Sequence, residues 1–146
     1  MLLHHAAITV RDFEEGLRFW RDGLGLELMM EHEFDGDWHT LFGADAQRLR
    51  SCFLGDPKRP DAGVVELVEF VGLPLADAPL PAVPTNGFFL LSFNVDLDAT
   101  LARLSELGLG GQPREITVHG VRMATVVAPD GVLVELIGLA EMPVMS

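Results

Sequence analysis

The sequence predicts an α+β fold of two tandem β-α-β-β-β modules, and three observations predict it. A short pattern occurs twice. Val64-Val65-Glu66-Leu67-Val68 returns as Leu133-Val134-Glu135-Leu136-Ile137, each an apolar run of strand character with one carboxylate inside it. The signals around the first helix also recur: Val10-Arg11-Asp12 answers to Val95-Asp96, and Leu24-Gly25 to Leu107-Gly108. Between the halves lies a stretch of small residues carrying Pro74, Pro79, Pro81 and Pro84, the best linker candidate in the chain. These signals give a first module at 1–71, a crossover at 72–87 and a second module at 88–146.

Each element follows from local chemistry. Residues 3–10 alternate, with His5, Ala7 and Thr9 on one face and His4, Ala6, Ile8 and Val10 on the other, as a strand requires. Asp12 is a helix N-cap with Glu15 three residues on, a weak capping box. The helix carries one apolar stripe through Leu17, Phe19, Trp20 and Leu24, and Gly25 stops it. A strand follows at 26–34, then an Asp35-Gly36-Asp37 turn. Residues 40–47 read as a short helical or irregular insertion, 48–54 as a strand, 56–63 as a loop and 64–71 as the last strand of the first half. The second half repeats the order: strand 88–95, helix 97–108 ending at Gly108, strands 112–119 and 121–128, a turn at Asp130-Gly131 and strand 132–138.

The chain has 146 residues, about half of them apolar, which suits one globular domain or two small modules. A formal net charge of -12 repels phosphate backbones and argues against nucleic acid as a partner. Arg48, Arg50, Arg114 and Arg122 remain available for a local basic spot facing an anionic ligand. No apolar run approaches the length of a membrane span, and without a basic stretch followed by an apolar one at its start the chain is not expected to be exported. One cysteine, Cys52, excludes an intrachain disulfide; its strand-like flanks read as a structural thiol, and a cytosolic location is expected.

A carboxylate inside an apolar strand is costly unless something pairs with it. Two of them at equivalent places, Glu66 and Glu135, point to a shared cation or a shared proton across a pseudo-symmetric cavity. Glu69 falls on the opposite face from Glu66 and reads as solvated. Composition alone leaves His5 open between a ligand and a hydrogen-bonded histidine at a strand start. His4, His32, His39 and His119 read as surface, structural or substrate-facing groups, His119-Gly120 as a hairpin turn, and Met29, Met30 and Met123 as core filler or pocket lining.

The chain resembles the vicinal oxygen chelate superfamily, which includes glyoxalase I, methylmalonyl-CoA epimerase, extradiol dioxygenases and the fosfomycin and bleomycin resistance proteins. The opening signature is His5-Ala6-Ala7-Ile8-Thr9-Val10-Arg11-Asp12 with Phe19-Trp20-Arg21-Asp22-Gly23-Leu24-Gly25-Leu26, and the closing one is Ala128-Pro129-Asp130-Gly131-Val132-Leu133-Val134-Glu135-Leu136. The resemblance implies paired open cups, with a divalent metal often held by four positions on the first and last strands of the modules. Matched residue by residue, these are His5, Glu66, Leu90 and Glu135; Leu90 lies as far before Val95 as His5 before Val10. His5, Glu66 and Glu135 are competent ligands for zinc, iron, manganese, nickel or cobalt. Leu90 is not, so the metal could also be absent.

The resemblance also implies that the small and polar faces, with Ala7, Thr9, Leu90, Ser92 and Asn94, line the cavity. Trp38 and His39 stand at an insertion that could wall a pocket. The activity expected is that of a small-molecule isomerase or lyase, a metal-assisted proton transfer next to a carbonyl with Glu135 or Glu66 as base. A metal-free enzyme whose glutamate has a raised pKa, or a ligand-sequestering protein, is the alternative. The extradiol dioxygenase fares worse, because Leu90 replaces one of its histidines. A homodimer is expected.

Overall fold

The structure, a computed structural model, describes residues 1–78 and 84–139. The middle of the crossover, with Pro79 and Pro81, lies outside the described residues, as does the tail Met142 to Ser146, which the sequence leaves open between a frayed end and a subunit contact. The chain forms two compact units, Met1–Asp77 and Ala78–Ser146. Both have the α+β make-up expected, one four-stranded mixed sheet each.

In the first unit the order is β1 (Ala6–Thr9), α1 (Phe13–Leu17), β2 (Glu27–Asp35), α2 (Trp38–Phe42), β3 (Arg48–Gly55) and β4 (Val65–Phe70). The sheet order is β1-β4-β3-β2, with β1 parallel to β4 and the other pairs antiparallel. In the second unit β5 (Leu91–Val95), α3 (Leu97–Glu106), β6 (Gly110–Val118), β7 (Val121–Val127) and β8 (Leu133–Gly138) give the matching order β5-β8-β7-β6. Both units thus read β-α-β-β-β, with α2 inserted in the first.

Helix capping follows the sequence. The Asp12 side chain accepts from the N–H groups of Glu14 and Glu15, and Asp96 from that of Ala99. The first helix departs from regular periodicity. After Leu17 it widens into a π-helical turn over Arg18–Gly23, where the Leu24 N–H donates to the carbonyl of Phe19, five residues back. A wider turn lets two consecutive large side chains, Phe19 and Trp20, both enter the core with no exposed surface. Gly25 then takes the positive φ that ends the helix, and Gly108 does the same after α3.

Strand parity places the core. Ile8, Val10, Val65, Leu67, Cys52 and Leu54 are buried on the helix side of the first sheet, and Val95, Val134, Leu136, Ala124 and Val126 are buried in the second. A Cβ on Gly16 would meet Leu67 at 3.1 Å and Val10 at 3.2 Å, so glycine is what lets α1 lie this close to the sheet. The opposite face of each sheet is the open face; in the first unit α2 reaches only its end, where Phe42 meets Phe70.

Several expectations are corrected. The first strand begins at Ala6 rather than residue 3, so alternation does not reach His4, whose Nδ1 lies 2.7 Å from Nδ1 of His5 instead of pointing away from it. Strand β5 begins at Leu91 rather than 88, leaving Phe88 and Phe89 exposed ahead of it. The insertion is helical from Trp38, two residues early, because Asp37 caps it through the Thr40 N–H and hydroxyl. Met29 and Met30 are exposed on the edge strand β2 and do not fill the core. Glu69 is not simply solvated: it is half-buried and accepts from Arg50 at 3.2 Å.

Candidate functional site

The first open face is built on β1, β3 and β4. Ala7 pairs with Glu66 across parallel strands, and Phe53 opposes Glu66 across the antiparallel pair, so these side chains share one row. His5 stands one residue before β1, half-buried, with Nε2 3.2 Å from Oε1 of Glu66. Ser51, fully buried on β3, donates its hydroxyl to Oε2 of Glu66 at 2.5 Å. The Phe53 ring meets the His5 ring edge-on with centroids 5.2 Å apart. Both oxygens of Glu66 are therefore occupied, and its side chain is only 15% exposed. Thr9 is exposed in the next row beside Val68. His32 opposes Ser51 in that row, exposed and edge-on to Phe34.

The second open face repeats this register. Ser92 pairs with Glu135 as Ala7 does with Glu66, and Leu90 stands one residue before β5 as His5 does before β1. The Ser92 hydroxyl donates to Oε1 of Glu135 at 2.8 Å. Oε2 of Glu135 has no hydrogen-bond partner among the described residues. Asn94 is exposed one step along the same face, next to Ile137. Each carboxylate is thus held by one serine, but from different strands. The equivalent of Ser51 in the second unit, opposite Ile137, is Met123.

The remaining candidates lie elsewhere or are already paired. Trp38 donates Nε1–H to the Phe34 carbonyl and stacks on Phe42 at 15°, and Phe42 reaches Phe70 edge-on. His39 lines an open groove of about 1000 Å³ with Asp35, Asp37, Asp45, Gln47 and Arg48, a lining that includes neither His5 nor Glu66. The expected basic spot is mostly neutralised: Arg48 pairs with Glu33 and Asp35, Arg50 with Glu31, Glu33 and Glu69, and Arg122 with Asp98 and Glu115. Burial pushes the Cys52 thiol up to about 11, which suits a structural residue and not a nucleophile. His119 and Gly120 both have positive φ and form the β6–β7 hairpin turn as expected.

A catalytic metal normally keeps three protein ligands. The first unit brings two donors together, His5 and Glu66; the second has Glu135 with aliphatic Leu90 in the histidine's place. Among the described residues no group of three or more His, Cys, Asp or Glu is placed to hold an ion. Neither unit by itself supplies the three donors that a resident divalent metal needs. Sequence reasoning missed Ser51, because only the register of β3 against β4 brings it to Glu66.

Two β-α-β-β-β units, each closing on a last-strand carboxylate, define a class. Residues 2–136 match the family described as the Glyoxalase/Bleomycin resistance protein/Dioxygenase superfamily, and the chain belongs to it. It is 37% identical over 145 residues to the lactoylglutathione lyase-like protein terB of Aspergillus terreus, covering 92% of this chain and 74% of that protein. Among solved structures it is similar to a glyoxalase family protein from Bacillus cereus, with a TM-score of 0.77 at 20% identity over 94% of this chain and 93% of that one. It is also similar to the trypanothione-dependent glyoxalase I of Leishmania major, with a TM-score of 0.67 at 21% identity over 96% and 88%. At these identities the structures speak for the fold alone. No helix among the described residues is long and apolar enough to cross a membrane.

Proposed function

We propose that the protein is a small-molecule lyase or isomerase that moves a proton on the carbon next to a carbonyl, with Glu135 as the base. The supporting observation is the state of that carboxylate. Glu135 is half-buried on an open sheet face, one oxygen is fixed by Ser92, and the other has no protein partner among the described residues. A base needs a lone pair open to substrate and a fixed orientation, and a carboxylate with one oxygen held and the other unoccupied is in keeping with both. Glu66 differs: His5 and Ser51 occupy its two oxygens, which suits a fixed anionic group that orients its surroundings. The lyase-like name of the Aspergillus relative is in keeping with the class of reaction.

The reaction uses no resident metal in this reading, so the glutamate itself takes the proton and the electron pair of the broken C–H bond passes to the carbonyl oxygen as an enolate. A second reading, a protein that binds and sequesters a small molecule, is favoured by Leu90, whose aliphatic side chain makes the second open face more apolar. A homodimer, as is common among relatives, accompanies either reading. The two are separated by following deuterium wash-in from heavy water, by proton NMR, across a panel of small carbonyl compounds. Exchange above the buffer rate that Glu135→Gln reduces about 100-fold or more, with the fold intact by circular dichroism, supports the enzyme. Compounds that bind but do not exchange support sequestration.

A further inference from the structure

In the second sheet one row crosses all four strands: Ser92 on β5, Glu135 on β8, Thr125 on β7 and Arg114 on β6. All four side chains share the open face, since directly paired residues project to the same side. All four are polar. The next row on that face is Asn94, Ile137, Met123 and Ile116, apolar except at β5, and on the other side Leu133 pairs with Val127. A polar stripe framed mostly by apolar side chains is how small-molecule sites fix orientation.

Arg114 ends the stripe, exposed, and it stands out electrostatically. Arg48, Arg50 and Arg122, the other arginines on strands, are each tied to two or more carboxylates. Arg114 has no ion-pair partner among the described residues, in a chain with 22 acidic and 10 basic side chains. Its neighbour Glu115 projects to the other face and is taken by Arg122. Thr125 separates Arg114 from Glu135 by two strand spacings, about 10 Å between backbones. That gap admits a few substrate atoms between the two side-chain ends.

We infer that Arg114 is the specificity-determining residue that binds an anionic oxygen group of the substrate, a carboxylate or a phosphate, carried a few bonds from the carbon that Glu135 deprotonates. The substrate class is then an acidic carbonyl compound. This rests on the reading of Glu135 as the base, but its test does not. A guanidinium takes such a group through paired N–H donors, which fixes orientation as well as charge. The base then meets one carbon of the substrate rather than several.

The test is isothermal titration of the full chain with phenylpyruvate, its methyl ester and dihydroxyacetone phosphate, in the wild type, Arg114→Gln and Arg114→Lys. Arg114→Gln is expected to weaken binding of the preferred acid about tenfold or more and leave the ester unchanged, with Arg114→Lys recovering part of the loss. Preference for phenylpyruvate identifies a carboxylate, and preference for dihydroxyacetone phosphate identifies a phosphate. The inference is overturned if neither acid binds the wild type, or if Arg114→Gln binds acid and ester as the wild type does. Deuterium exchange with Glu135→Gln is read separately. Unchanged exchange there removes the base and leaves the Arg114 result standing.

Discussion

The hydroxyl of Ser51 lies 2.5 Å from Oε2 of Glu66, and the serine is fully buried. This bond satisfies one side of a carboxylate that the sequence places inside an apolar strand. A charged acceptor makes it one of the stronger hydrogen bonds available to the chain. Ser51→Ala is therefore expected to cost about 1.5–3 kcal/mol of folding stability. Urea denaturation of both proteins measures it, and a change under about 0.5 kcal/mol would show that His5 and water suffice to hold Glu66.

Ser92 and Glu135 make the corresponding pair on an exposed face, with a different expected consequence. Water can replace the Ser92 hydroxyl, so Ser92→Ala is expected to leave stability within about 0.5 kcal/mol of the wild type. Its effect belongs to turnover, through a less fixed base, with a loss of about tenfold in kcat and little change in KM. An intact kcat would show that Ser92 does not position the carboxylate.

Metal content tests the donor set directly. Protein purified without chelators is expected to hold less than about a tenth of an equivalent of any first-row transition metal by elemental analysis, and to exchange the same protons after dialysis against EDTA. One equivalent of metal, lost together with exchange on dialysis, would restore the metal-assisted reading of His5, Glu66 and Glu135.

Cys52 gives a pH prediction with a definite sign. Its thiol is pushed up from 9.0 to about 11 by burial, so the folded state holds its proton more tightly than the unfolded state. The resulting stabilisation is complete below pH 9.0 and is lost as pH rises through about 11. Denaturation midpoints measured from pH 8 upward should fall more steeply for the wild type than for Cys52→Ala. Parallel curves would remove the thiol as the cause. The same burial should keep Cys52 unreactive toward a thiol reagent until the chain unfolds.

Asp12 caps α1 through two backbone N–H groups. Asp12→Ala is expected to lower stability by about 1 kcal/mol without altering proton exchange on a bound carbonyl compound. A loss of exchange at retained stability would tie the start of α1 to the site.

The repeat of the two Glu-bearing strands, the caps at Asp12 and Asp96 and the stops at Gly25 and Gly108 were all legible as sequence, because each depends on neighbours a few residues away. From them come the two β-α-β-β-β units and the side of the strand on which Ala7, Thr9, Ser92 and Asn94 lie. The tertiary structure decided what those residues meet. That Glu66 takes its serine from β3 and Glu135 from β5, and that Arg114 ends a row begun by Ser92, follow from the register between strands distant in sequence. A shift of one residue in that register would carry every one of these side chains to the other face, and no local pattern fixes it.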